Sequence, residues 1–338
     1  MKYFRVFLLI SALVLLCGCV SEQPGKAGST AAQSQSQSHP QAAYQFGVGY
    51  SGSGYTDSME RWSKLVYERT DGQVELKLFG DNALGEGPEM AKAVQRGTLS
   101  IVASSTSVCT DLVPQAAIMD LPSCYSQYIQ LFRVYNGEFY EMLNRYYRQQ
   151  GLELLFLRTG EDWIISASEP ISSLAALNGL RVRTSGSTYH NKLYDSLGIQ
   201  RLENVGLSGL PYILQEGRVD GIEATYTILK TQGLLESQPY GIGSLFVMSS
   251  AVTMNLAAFE SLPKEYQIIL KESLQESLTK QQKNLQQAAM ERDMVITALS
   301  ETDEETLRQL AQPLMEEIRA VAGDELLQAL ENENAAAE

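Results

Sequence analysis

The chain has 338 residues, 44% of them apolar and 20% charged, and a formal charge of −14. That length holds two lobes of ordinary size. The acidic balance excludes a general nucleic-acid binder and disfavours an anionic membrane surface as partner.

Residues 1–5 form a short basic segment, and Val6 to Leu16 is an apolar run broken only by Ser11. A membrane-spanning helix needs about 20 such residues, so the run reads as the core of a signal peptide over 1–18. Its end, Leu16-Cys17-Gly18-Cys19, resembles a bacterial lipobox, in which the last cysteine receives lipid and becomes the new first residue. Cys19 is therefore the expected lipidation site, holding the protein to a lipid bilayer. The expected location is extracytoplasmic, on the periplasmic side or at the cell surface. An ordinary signal peptide with an incidental cysteine is the alternative. Cleavage removes Lys2 and Arg5, which takes the charge to −14 − 2 = −16. Residues 19–43, rich in Ser, Gln, Ala, Gly and Pro, lack apolar periodicity and read as a disordered tether. His39 lies within it, which speaks against a catalytic role.

The body opens with a predicted strand, Tyr44–Tyr50, and a Gly/Ser loop. Asp57 and Glu60 have capping-box spacing before a helix to Arg69, with Met59, Trp62, Leu65 and Val66 on one face. Asp71-Gly72 turns the chain into a strand in which Val74, Leu76 and Leu78 alternate. The loop GDNALGEGPE, a helix from Pro88 to Arg96 and a strand from Leu99 to Ala103 follow. Between Gly179 and Glu223 a strand with Arg181 and Arg183, a helix over Thr188–Leu197 ending at Gly198, a strand at Ile199–Leu202 and the segment LQEGRVDGIEA make a β-α-β-α-β pattern. Such a pattern builds a parallel sheet whose strand ends face a crevice. Pro263 opens a long helix that is expected to continue to about Leu299, with Leu270, Leu274, Leu278 and Leu285 on one stripe. Ser300 and Asp303 cap a last helix ending near Leu330.

The stretch from Glu68 to Ser105, then Asp111-Leu-Val-Pro114, Ile118-Met-Asp-Leu-Pro122, GLRVR and EGRVDGIEA together resemble the solute-binding subunits of TRAP (tripartite ATP-independent periplasmic) transporters, the DctP-like family. The likeness covers almost all of residues 45–300. It implies an α/β, two-lobe periplasmic-binding-protein fold with a hinge and a long hinge-spanning helix. The expected boundaries are 44–162 with 249–288 for lobe I and 163–248 with 289–332 for lobe II. It further implies a protein that captures a small organic acid and passes it to membrane permease subunits, with no cofactor. A sensory binding protein that reports to a membrane kinase or chemoreceptor is the alternative.

The family binds the ligand carboxylate through the second basic residue of its G-L-K-I-R pattern, which is Arg183 here. Strand alternation agrees, since Arg181 and Arg183 share a face and Arg183 is nearer the crevice. Guanidinium suits the task because it grips both carboxylate oxygens. The competing role for such an arginine is a structural ion pair. Where many members carry a second arginine, counting back from Pro170-Ile171 reaches Trp163. Where many have Q-E-N-P, this chain has Ile222-Glu223-Ala224-Thr225, without the asparagine. Trp163, Tyr226 and Tyr125 either offer apolar faces to a ligand, which would point to a monocarboxylate with an apolar or aromatic body, or pack in the core. Glu86 and Glu223 are candidates for orienting the ligand, Glu223 equally for holding Arg183. Tyr189 lies at the start of the helix after Arg183, whose N-terminus favours an anion.

Other chemistry is not supported. Gly47-Val-Gly49-Tyr-Ser-Gly52 spells G-x-G-x-x-G but does not open a helix directly, as a dinucleotide site requires; a flexible loop whose small residues admit a ligand is the better reading. No G-x-S-x-G elbow appears, and His190 has no nucleophile in register, so no enzyme activity is expected. Cys109 and Cys124 have no metal-ligand company, so no metal site is expected. They either close a disulfide loop, worth about 3 kcal/mol, or fill space as small apolar residues.

Overall fold

A computed structural model describes residues 42–51, 55–290 and 293–336. The expected signal peptide, Cys19, His39, Gly52 and most of the tether lie outside the described residues. The elements run β1 (Tyr44–Tyr50), α1 (Thr56–Arg69), β2 (Val74–Phe79), α2 (Gly87–Gln95), β3 (Ile101–Ser105), β4 (Val134–Tyr135), α3 (Glu138–Gln149) and β5 (Leu152–Ala167). They continue with β6 (Arg181–Arg183), α4 (Thr188–Ser196), β7 (Gln200–Leu202), α5 (Leu210–Gln215), β8 (Gly221–Ala224), α6 (Tyr226–Thr231) and β9 (Tyr240–Asn255). The C-terminal part is α7 (Leu256–Glu260), α8 (Lys264–Met290), β10 (Val295–Thr297), α9 (Glu301–Ala322) and α10 (Asp324–Ala335).

The strands join in the order β2-β1-β3-β9-β5-β8-β6-β7, with β10 beside β9 and β4 beside β5. Each wing is parallel within itself, as β1/β2, β1/β3, β6/β7 and β6/β8 pair parallel. The two long strands β5 and β9 pair antiparallel at the centre and belong to both wings. Their first and last halves meet different neighbours: β3 binds β9 over Ser250–Met254, and β8 binds β5 over Ile164–Ala167. Between those halves the register jumps, from Thr159 opposite Ser249 to Asp162 opposite Val247. That is three steps along β5 against two along β9, a one-residue bulge that bends the strand and turns its side chains over.

Packing explains most of the elements. In α1, Met59, Trp62 and Val66 are buried on one face, and the Trp62 indole N–H donates to the Leu270 carbonyl of α8 at 3.0 Å. Leu270, Leu274 and Leu278 of α8 face the same core as β1 and β2; the side chain of Leu285 lies outside the described residues. The expected capping box at Asp57 and Glu60 does not form, because α1 starts two residues earlier with Tyr55 as its N-cap. The glycines of the G-x-G run lie inside β1, not in a loop. A Cβ on Gly49 would stand 2.7 Å from the Met90 sulfur, so the residue lets α2 close on the sheet.

Two other expectations change. The long helix stops at Met290, well short of Leu299, and the chain re-enters the sheet as β10. The last helix begins at the expected Ser300–Asp303 capping box but breaks at Gly323 (φ 83°), giving α9 and α10. In the C-terminal segment α9 lies against α4 and the 3-10 helix Pro114–Asp120, and α10 lies against α3. Cys109 and Cys124 are separate free thiols. Cys109 is buried beside Tyr147 and Thr253, and burial pushes its thiol up to about 11.

Candidate functional site

Where the two wings face each other, a cavity of about 210 Å³ opens. One wall comes from the first half of the chain: Ser51, Tyr55, Asn82, Glu86 and the start of α2. The opposite wall holds Arg183, Ser185, Leu207 and the residues that open α6, Thr225, Thr227 and Ile228. The central strands supply Arg158, Glu161, Trp163 and Met248, and Gln281 of α8 closes one end.

Arg183 ends β6, at the carboxyl edge of the parallel wing, and is 7% exposed. Its Nε and Nη2 donate to the Val205 carbonyl at 2.9 and 2.6 Å. This leaves Nη1 and one N–H of Nη2 for a ligand. Burial draws the guanidinium below its ordinary value, and the charges of Glu223 and Glu86 oppose that. Its neighbour Arg181 plays the structural part. It is surface-exposed and grips Asp220 with Nε at 3.1 Å and Nη2 at 2.6 Å. Of the two arginines on one strand face, Arg181 makes the surface ion pair and Arg183 borders the cavity.

Glu86 borders the cavity as the N-cap residue of α2 and accepts from Asn82 Nδ2 at 3.1 Å. Asn82 sits at φ 58°, a conformation asparagine tolerates, and this turn aims both side chains at the cleft. Across the cleft Gly206 faces Glu86, whose Oε1 a Cβ at that position would meet at 2.7 Å.

Glu223 does not line the cavity. It is fully buried one layer behind, where its carboxylate accepts from the Ser185 backbone N–H, from Tyr194 at 2.8 Å, and pairs with His190 Nδ1 at 2.6 Å. Burial raises its carboxyl, but His190, the Ser185 amide and Tyr194 outweigh this and hold it below the usual range. Its reach to the cavity is indirect, through Ser185 and the electrostatic partner Arg183. His190 stacks on Phe246 (3.8 Å, 15°), meets Trp163 edge-on, and lies 3.9 Å from Asp120. Asp120 also accepts from Ser187 at 3.2 Å and Ser107 at 2.8 Å. Burial pushes its carboxyl up. Trp163, 7% exposed, thus has one side in the cavity and one on this buried cluster.

Three aromatic candidates lie elsewhere. Tyr226 opens α6 but turns away, with Lys230 over its ring. Tyr189 is buried with Lys192 over its ring, and Tyr125 packs at the edge of the main core. The residue that sequence reading missed is Arg158, 1% exposed, with Nη2 on Gln281 Oε1 at 3.0 Å and Nη1 on the Leu278 carbonyl at 3.4 Å. Counting by twos from Trp163 puts position 158 on the opposite face. The bulge between Thr159 and Asp162 reverses the parity and brings both onto the cavity side. Among the described residues, no group of His, Cys, Asp and Glu is placed to hold a metal ion.

With this geometry in hand, the comparisons are decisive for the family. The profile of the bacterial extracellular solute-binding proteins, family 7 (DctP), matches residues 49–321. The chain belongs to the DctP family. The 2,3-diketo-L-gulonate-binding periplasmic protein YiaO of Escherichia coli (strain K12) is 25% identical over 280 residues, 80% of this chain and 82% of its own. The C4-dicarboxylate-binding periplasmic protein DctP of Rhodobacter capsulatus is 25% identical over 219 residues, 64% and 66% of the two chains. Among solved structures, a TRAP periplasmic solute-binding protein from Desulfovibrio salexigens with bound orotic acid superposes with a TM-score of 0.73 at 25% identity, covering 87% of this chain and 100% of that one. The sugar acid binding protein DctPAm of Advenella mimigardefordensis, in complex with galactonate, shares the fold (TM-score 0.75, 19% identity, 88% and 100% covered). The two-lobe α/β fold expected from the sequence is the fold of this DctP-family chain.

Proposed function

We propose that this protein captures a small organic acid between two lobes and delivers it to a TRAP-type membrane permease, while held at a bacterial membrane by lipid on Cys19. The observation that carries the reading is Arg183. A nearly buried guanidinium with unused N–H groups faces a cavity of about 210 Å³, below the common 300–1,000 Å³ of drug-sized pockets. Burying such a cation has a cost that the charges of Glu223 and Glu86 reduce and that a ligand carboxylate on its open N–H groups would reduce further. The lobes would be 44–162 with 249–288 and 163–248 with 289–332, the C-terminal helices bridging them, and the bulged middle of β5 and β9 would serve as the hinge. No chemistry is assigned to the site; the protein would release its ligand unchanged.

Trp163, Met248, Ile228 and Leu207 give the cavity apolar walls, which suits a compact ring or short-chain body. Orotic acid in the Desulfovibrio relative and the sugar acids of others fit the class: one carboxylate on a small body. A thermal-shift comparison of orotate with uracil, and of galactonate with galactose, tests the acid requirement. The acids should raise the melting temperature and their neutral partners should not. Equal shifts for acid and neutral partner would sink the reading.

A further inference from the structure

We infer that Arg158 is a second, specificity-setting anchor, which selects acids bearing a neutral carbonyl or hydroxyl oxygen at the end of the molecule away from Arg183. The inference rests on the carboxylate reading above and adds the ligand's far end to it. Arg158 comes from the central strand, while Arg183 stands at the edge of the β6–β7–β8 wing, and both border the same cavity. Only two of the guanidinium nitrogens of Arg158 have partners, Nη1 on Leu278 and Nη2 on Gln281. Arg158 borders the cavity, and its buried Nε–H makes no hydrogen bond among the described residues. A buried donor left unmet is unfavourable, and a ligand oxygen removes that cost.

The charge around Arg158 says which oxygen fits. Burial lowers its guanidinium from the ordinary value, and the nearby Tyr55 and Glu161 counter this, Glu161 as a buried carboxylate on the same strand. The cation therefore already has an anion beside it. A second full carboxylate at this end would face Glu161, whereas a carbonyl or hydroxyl oxygen accepts from Nε without that repulsion. The bulge at Thr159–Asp162 brings a guanidinium back to the cavity from five residues before Trp163.

The test uses matched acids on the full-length protein: pentanoate against 4-oxopentanoate, pyridine-2-carboxylate against orotate, and hexanoate against gluconate, with glutarate as a dicarboxylate. Affinities are measured by calorimetry on the native protein and on Arg158→Met, Arg158→Lys and Arg183→Ala. In each pair that binds, the oxygen-bearing member should bind about tenfold or more tighter, as a hydrogen bond to a charged group implies. Arg158→Met should bring the two members to within about twofold, and Arg158→Lys should keep part of the preference. Arg183→Ala should weaken both members alike. A loss of packing at Arg158 lowers both affinities together and leaves their ratio unchanged, so the ratio separates recognition from folding. The inference is overturned if the preference survives in Arg158→Met, if the native protein prefers the plainer acid, or if glutarate outbinds 4-oxopentanoate. Binding of none of the seven acids would overturn the carboxylate reading and this inference with it.

Discussion

Three side chains show how burial assigns roles that residue type alone leaves open. Arg181 and Arg183 share a strand face, yet the first pairs with Asp220 at the surface and the second is held in the cavity wall by Val205. Glu223, a candidate ligand contact, is instead the buried hub for the Ser185 amide, His190 and Tyr194. Because its carboxyl is held below the ordinary range, its stabilisation is fully present above the unfolded pKa and is lost as pH falls through the lower folded value. Urea denaturation should therefore show Glu223→Gln destabilised by about 3 kcal/mol near neutral pH, the cost of breaking a buried pair. As pH falls below about 5 and through the lowered folded pKa, the native protein should lose stability more steeply than the variant. Parallel curves would remove Glu223 as the responsible group. The placement of Arg183 at the cavity wall was legible from the sequence through alternation and the GLRVR pattern. That of Arg158 was not, since its facing depends on a bulge, and a bulge is set by pairing between strands distant in the chain.

Among the elements, local signals carried well wherever the pattern was periodic. The alternation of β2, the apolar face of α1 and the Ser300–Asp303 cap all appear at or within a residue or two of their expected places. Failures cluster where tertiary pairing decides: β10 replaces the last helical turns before Leu299 because it finds a parallel partner in β9, and Gly47 and Gly49 serve packing in a strand. The helix α8 ties these levels together. It carries the Leu270 carbonyl that meets Trp62, the Leu278 carbonyl that meets Arg158 and the Gln281 that borders the cavity. Trp62→Phe should lower stability by about 1–2 kcal/mol through the lost hydrogen bond and ring volume. Since α8 also positions Arg158, chemical denaturation and ligand titration of this variant should both move; a stability loss with unchanged affinity would show that α8 does not transmit its packing to the cleft.

For the molecule as a whole, two parallel wings hung on a pair of long bulged strands give a cleft that two halves of the chain build jointly. Neither half carries a complete binding surface: Asn82 and Glu86 come from one wall, Arg183 and Thr225 from the other, and Arg158 with Trp163 from the strands between. Binding between such walls is naturally coupled to their closure, which is how a binding protein distinguishes a loaded state from an empty one. The most direct measurement is mass spectrometry of small molecules released on denaturing the purified protein, run beside Arg183→Ala. The account predicts a small carboxylic acid from the native protein and its loss from the variant, since a bidentate buried contact is worth over a hundredfold in affinity, about 3 kcal/mol. The same compound at the same occupancy from Arg183→Ala, or a released compound with no acid group, would contradict it.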